Sequence, residues 1–269
     1  MICFPNAKIN IGLNVVEKRT DGFHNIETIF YPVPLCDVLE IREAPALQLT
    51  IEGIAIQGTV ENNLCIKAYK ALADQYKIPP VEIFLLKAIP TGAGLGGGSS
   101  DAAFMIKALN ELFSLNLSEE TMEQTAAKLG SDCAFFIKNK PVYATGKGDV
   151  FVPVSVSLKG KYIVIVKPPV HVSTPEAYGM IKPARPEYTI VSECKNPVLN
   201  WKKKITNDFE QPVISKYSVI GELIKKMYAN GAAYAAMSGS GSAVYGIFDD
   251  EPDLQKQFPG NFYYAAMLS

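Results

Sequence analysis

The chain has 269 residues, 48% of them apolar and 20% charged, and its 26 Lys and Arg against 27 Asp and Glu leave a formal net charge of −1. That balance gives no electrostatic reason to expect nucleic acid or an anionic membrane as partner, and the length suffices for two moderate domains. Five scattered cysteines with no Cys-x-x-Cys spacing, two histidines, and no apolar run near the roughly 20 residues that span a bilayer argue against zinc, disulfide and transmembrane frameworks.

The thiols suit a reducing compartment, and residues 1–20 lack the basic, apolar and small-residue succession of a signal peptide. The expectation is a cytoplasmic protein, a monomer or weak homodimer, acting on a small molecule. In chain order, Ala7, Ile9, Ile11, Leu13 and Val15 alternate with Lys8, Asn10, Gly12 and Asn14, which predicts a strand with one apolar face. Lys8 and Asn10 then share the other face, either as plain solvated surface or as the lining of a cleft where Lys8 offers a cation. Asp21-Gly22 forms a polar turn followed by Phe23 and His24. Strands are predicted over 26–31, 38–41, 47–51 and 81–86, and a helix over 61–76 that Pro79-Pro80 closes.

Residues 89–103 organise the rest. Gly92, Gly94, Gly96, Gly97 and Gly98 crowd into seven positions, then come Ser99, Ser100 and Asp101. A strand precedes them, and Ala102, Met105, Ile106, Leu109 and Leu112 follow at helical spacing, so a helix is expected from Asp101. Glycines let backbone approach a ligand closely, and a helix N-terminus offers unpaired N–H groups to a phosphate. No Gly-Lys-Ser/Thr closes the loop, which excludes a Walker A reading. Gly92-x-Gly94-x-x-Gly97 matches the dinucleotide fingerprint, but residues 116–120 read as a new helix start where that fold needs a second strand. A flexible linker fits poorly between such patterned flanks. Phosphate binding is the reading that remains.

A helix is expected over 118–129, then Gly130-Ser131-Asp132, in which Asp132 is either a helix cap or an acid of perturbed pKa beside apolar bulk. A hairpin over 142–149 and a strand over 162–166 follow, with a domain boundary near residue 157 that divides the chain into 1–157 and 158–269. Thr174 is expected to cap a short helix begun by Pro175. Residues 182–204 lack a clear period, and Trp201-Lys202-Lys203-Lys204 reads as a solvated face. A helix over 215–230, a second Gly/Ser loop at 237–242 and a strand over 262–267 complete the chain.

Several of these segments together resemble one family, the GHMP kinases. The resemblance rests on the loop from Pro90 to Ala103 and on Met237-Ser238-Gly239-Ser240-Gly241-Ser242. Pro5-x-Ala7-Lys8-Ile9-Asn10, Asp21-Gly22-Phe23-His24, Gly130-Ser131-Asp132-Cys133-Ala134-Phe135-Phe136 and Asn207-Asp208-Phe209-Glu210 narrow it to the branch that acts on a cytidine diphosphate ester of methylerythritol in isoprenoid synthesis. Asp101 stands where many relatives carry a small or amide residue, and Phe23 where a tyrosine is common.

The resemblance implies an α/β (α+β) fold with a ribosomal-protein-like N-terminal domain and a ferredoxin-like C-terminal domain, the active site lying between them. It implies ATP and Mg²⁺ as donor and cofactor, with transfer to the tertiary hydroxyl of the methylerythritol unit. Asp132 would be the base and Lys8 would orient it. Pro90, Gly92, Gly94, Leu95, Gly96, Gly97, Gly98, Ser99 and Ser100 would hold the nucleotide, and Ser99 the metal. Phe23 and Tyr178 would sandwich the cytosine, His24 and Asn10 would read its polar edge, and Thr174 would lie near the substrate phosphates. The competing readings are a homoserine- or mevalonate-type kinase of the same family and a catalytically inactive binding protein of the same fold.

Overall fold

In the computed structural model, residues 1–56 and 58–269 are described. They form a mixed α/β structure of two compact units that interleave along the chain: 1–7, 35–91 and 96–140 in the first, 8–34, 92–95 and 141–269 in the second. No helix among the described residues is long and apolar enough to cross a membrane.

The first unit carries a four-stranded sheet in the order Ile2–Cys3, Val38–Glu43, Val81–Lys87, Gln48–Gly53. The last two strands run parallel, the other pairs antiparallel. A parallel pair needs a crossover; helix Leu64–Tyr76 supplies it. Along Val81–Lys87 the buried positions are Val81, Ile83, Leu85 and Lys87, so a period of two carries a lysine inward beside apolar neighbours. Helix Leu64–Tyr76 packs on helix Gly97–Leu112, whose buried face comprises Ala102, Ala103, Met105, Ile106 and Leu109. Helix Glu119–Ala127 starts where its pattern predicts, with the Ser118 side chain accepting from the Thr121 amide.

The second unit carries two four-stranded sheets. In one, the strands Asn6–Lys18 and His24–Cys36, for most of their length, are followed by the hairpin Val142–Thr145 and Val150–Pro153. The other runs Tyr234–Met237, Val244–Phe248, Tyr162–Lys167, Phe262–Met267, antiparallel throughout. Helices Glu210–Lys216 and Ser218–Ala229 close a core in which Phe209, Val213, Ile220 and Met227 meet Val164, Val166, Met237 and Val244.

Five expectations are corrected. The first helix begins at Leu64, because Asn63 caps it through the Cys65 amide and Val60–Asn62 forms a separate 3-10 turn. The loop helix begins at Gly97, four residues before Asp101, with Gly96 at φ 73° as its N-cap and the Ser100 amide donating to Gly96 O. Ser173, not Thr174, caps helix Thr174–Gly179 by accepting from Glu176. The helix over 215–230 is two helices broken at Tyr217, whose ψ of 78° is not helical. The strand with one apolar face is buried on both sides, with Lys8 at 3% and Asn10 at 2% exposure, so the solvated-surface alternative fails there. Lys202, Lys203 and Lys204 do form an exposed face, with Trp201 turned inward.

Candidate active site

The candidate residues divide between the two units. In the first, Pro90 is buried and leads into the loop, and Gly97, Gly98 and Ser99 form the first turn of helix Gly97–Leu112. The N–H groups of a first turn have no partner four residues back and sit at the positive end of the helix dipole. The first amide bonded within the helix is that of Ser100, which donates to Gly96 O at 2.9 Å. A Cβ on Gly98 would meet only Leu64 Cδ1 at 3.9 Å, so open space lies over this turn. The arrangement fits a phosphate. Ser99 is half-buried, whereas Ser100 is closed off from solvent and its Oγ has no hydrogen-bond partner.

Asp132 lies half-buried in the turn before helix Phe135–Lys138. It is not a cap: the N-cap position is Ala134, and no side chain bonds there. Its neighbour Cys133 is buried, and burial pushes that thiol up to about 11 while a hydrogen bond with Ser99 works the other way. Behind the loop helix, Lys87 Nζ donates to Asp37 Oδ2 and, at 2.6 Å, to Asp101 Oδ2, all three groups being buried.

In the second unit, residues 92–95 are sewn to the second Gly/Ser loop. Ser238 Oγ donates to Gly94 O at 2.8 Å, Ala243 N donates to Ala93 O at 3.2 Å, and Lys8 N donates to Leu95 O at 2.9 Å. Gly94 has a φ of +77° and a Cβ there would fall 1.9 Å from Ser238 O, so no other residue fits. Gly92 takes φ +58° beside the His171 ring, and Gly96, in the first unit, has φ +73°.

Lys8 Nζ donates to Asn10 Oδ1 at 2.6 Å and lies 4.6 Å from the centre of the Phe30 ring. Asn10 in turn donates from Nδ2 to Thr28 Oγ1 and from its amide to Ser238 Oγ, and its carbonyl accepts from Tyr245. The fixed amide aims its oxygen at the ammonium. His24 and Tyr178 stack at 4.6 Å with 17° between their planes, and Tyr178 meets Phe209 edge-on at 4.9 Å. Burial, then the nearby Lys18 charge, lowers the His24 pKa, which favours the neutral imidazole. Phe23 is exposed, with Lys147 Nζ 4.9 Å above its ring. Thr174 Oγ1 lies 3.2 Å from Ser240 Oγ of the second loop.

Several supporting residues had no role assigned from sequence. Asn207 Nδ2 donates to Met237 O and Gly239 O at 2.8 Å each, and Glu210 accepts from Met237 N at 2.9 Å. Burial raises the Glu210 pKa, with that amide bond opposing. The Asn207-Asp208-Phe209-Glu210 segment carried the family signal but not the task, which is to hold the second loop's backbone. Asp37 and Lys87 gave no signal, because a lysine ending an apolar strand usually reaches solvent.

Comparison with known proteins gives the family. Residues 63–140 match the GHMP kinases N terminal domain and residues 191–262 the GHMP kinases C terminal domain. A protein of Parabacteroides distasonis called 4-diphosphocytidyl-2-C-methyl-D-erythritol kinase is 52% identical over 271 residues, covering 100% of both chains. A Bacteroides fragilis protein of the same name is 54% identical over 260 residues, 95% of each chain. The crystal structure of a 4-(cytidine 5'-diphospho)-2C-methyl-D-erythritol kinase superposes with a TM-score of 0.84 at 28% identity, covering 100% of both chains.

Proposed function

The chain belongs to the GHMP kinase family, and from that membership and the geometry of its loops we infer that it transfers a phosphoryl group from ATP to 4-diphosphocytidyl-2-C-methyl-D-erythritol. The observation that carries this reading is the 52% identity, over the whole of both chains, to a relative named for that reaction. The local chemistry supports it. An open helix N-terminus bearing Gly97, Gly98 and Ser99 suits the ATP phosphates, and the His24–Tyr178 stack offers a flat aromatic surface to a nucleobase.

We assign the roles as follows. Asp132 takes the proton of the tertiary hydroxyl, since an alcohol near its ordinary pKa is a poor nucleophile. Lys8, held by Asn10, supplies positive charge to the transfer. Pro90, Gly92, Gly94, Leu95, Gly96 and the first turn of the helix shape the nucleotide site, with Ser99 as its accessible hydroxyl, since Ser100 is closed off from solvent. Mg²⁺ belongs to the same proposal: Ser99 would help to hold it, and it would neutralise phosphate charge. Phe23, His24 and Tyr178 recognise the cytidine end and Thr174 the diphosphate. Asn10 is buried, with its side-chain amide committed to Lys8 and Thr28, so it serves the site through Lys8 and not by reading the base. The free thiols of Cys3, Cys36, Cys65, Cys133 and Cys194 suit the cytoplasm.

A coupled ADP-release assay tests the reading, with Mg-ATP and each of three acceptors: 4-diphosphocytidyl-2-C-methyl-D-erythritol, homoserine and mevalonate. ADP release with the cytidyl acceptor alone is expected. Release with homoserine or mevalonate instead would keep the family and overturn the substrate.

A further inference from the structure

Both ends of the glycine loop are tied to one buried ionic centre. Asp37 Oδ1 accepts from the amides of Ala88 at 2.6 Å and Ile89 at 2.8 Å, the two residues that lead into Pro90. The other oxygen of the same carboxylate accepts from Lys87 Nζ, which also donates at 2.6 Å to Asp101, in the helix that leaves the loop. The side chains of Lys87, Asp37 and Asp101 are 1%, 0% and 4% exposed. The first residue of that helix rests on the same centre: a Cβ on Gly97 would fall 2.9 Å from Ile89 Cγ2 and 3.4 Å from Lys87 Nζ.

The charges do not balance if all three groups ionise, because one cation then faces two carboxylates. Burial raises the Asp101 pKa to about 7, opposed by the Lys87 charge and reinforced by Asp37. Lys87 stays charged: burial lowers its pKa, and the two carboxylates outweigh that and raise it. The other titratable groups facing the centre are the thiols of Cys65, Cys3 and Cys36, all raised by burial and therefore neutral. Asp101 Oδ1 is buried without a hydrogen-bond partner, so no donor stabilises a charge on that oxygen.

We propose that Asp37, Lys87 and Asp101 form a positioning device for the nucleotide, fixing the two ends of the glycine loop so that the first-turn N–H groups meet the phosphates. The three residues touch no substrate, and the proposal rests on the ATP reading of the loop. With Asp101 protonated the centre is neutral. When Asp101 ionises, a buried negative charge stands behind the first turn and opposes a polyphosphate. Nucleotide affinity therefore falls as pH rises through the Asp101 value.

Titration calorimetry with a non-hydrolysable ATP analogue and Mg²⁺, one pH unit below and one above that value, tests this on the full chain. No binding by the wild type overturns the phosphate reading itself. If the wild type binds, Lys87→Met is expected to weaken the analogue by about tenfold or more, as misplaced binding groups do, while the KM for the acceptor stays within about twofold. Asp101→Asn, which mimics the protonated acid, is expected to bind as the wild type does at the lower pH and to lose the pH dependence. It serves equally if Lys87→Met does not fold. A folded Lys87→Met with wild-type affinity, or an Asp101→Asn that keeps the wild-type pH dependence, would overturn the proposal.

Discussion

A Cβ on Gly94 would stand 1.9 Å from the carbonyl oxygen of Ser238, so the two glycine-bearing loops meet backbone to backbone. The Ser238 hydroxyl closes the contact by donating to Gly94 O, and Asn10 reaches the same serine through its amide. One small residue thereby couples residues 92–95 to the strand that carries Lys8.

Gly94→Ala is expected to destabilise the protein by more than the about 1–2 kcal/mol that left-handed backbone alone costs an L-residue, because the clash is with backbone and cannot be relieved by a rotamer. Urea unfolding measures it. A loss within experimental error would mean that the loops separate readily.

Asp132→Asn keeps the shape of the side chain and removes its basicity. Turnover should fall by about 10²–10⁴-fold, the range for general acid–base catalysis, with ATP affinity unchanged to within a few-fold. Steady-state kinetics beside nucleotide titration separate the two effects. Wild-type turnover would show that Asp132 is not the base.

Tyr178→Ala removes the ring that stacks on His24 at 4.6 Å. An aromatic pair contributes about 0.5–1.5 kcal/mol beyond its buried area, so the KM for the cytidyl acceptor should rise by up to about tenfold. The KM for ATP should not move. A change confined to ATP would place the ring at the wrong substrate.

The positions of most strands and of the glycine loop could be read from the sequence, because period-two and helical patterns flank the glycines on both sides, whereas the order of the strands in their sheets could not. The start of helix Glu119–Ala127 was legible for the same local reason. What could not be read was depth. Lys8, Asn10 and Asn14 alternate with apolar residues as an exposed edge would, yet the strand is covered on both faces, which only the second sheet and its helices decide. Lys87 illustrates the same limit, since its two carboxylate partners lie 50 and 14 residues away in sequence. The Thr174 cap failed by one residue because Ser173 and Thr174 are chemically equivalent candidates, and the helix start after the glycine loop failed because glycine is a poor helix former in isolation.

Stability should carry a pH signature from Asp101. Its pKa is about 7 in the folded chain against an ordinary 3.8, so the folded state holds a proton that the unfolded chain has released. Its contribution to stability is therefore greatest below the ordinary value and is lost as pH rises through the folded one. In Asp101→Asn this contribution disappears, and the thermal midpoint should fall less between acid and neutral pH than it does in the wild type. Parallel profiles in the two proteins would show that Asp101 is ionised throughout.

The most direct test of the account is mass spectrometry of the acceptor after incubation with Mg-ATP. The expected result is 4-diphosphocytidyl-2-C-methyl-D-erythritol carrying one additional phosphoryl group, formed in step with ADP and nearly abolished by Asp132→Asn. Recovery of the acceptor unmodified, by a wild-type protein that binds both substrates, would contradict the proposed transfer.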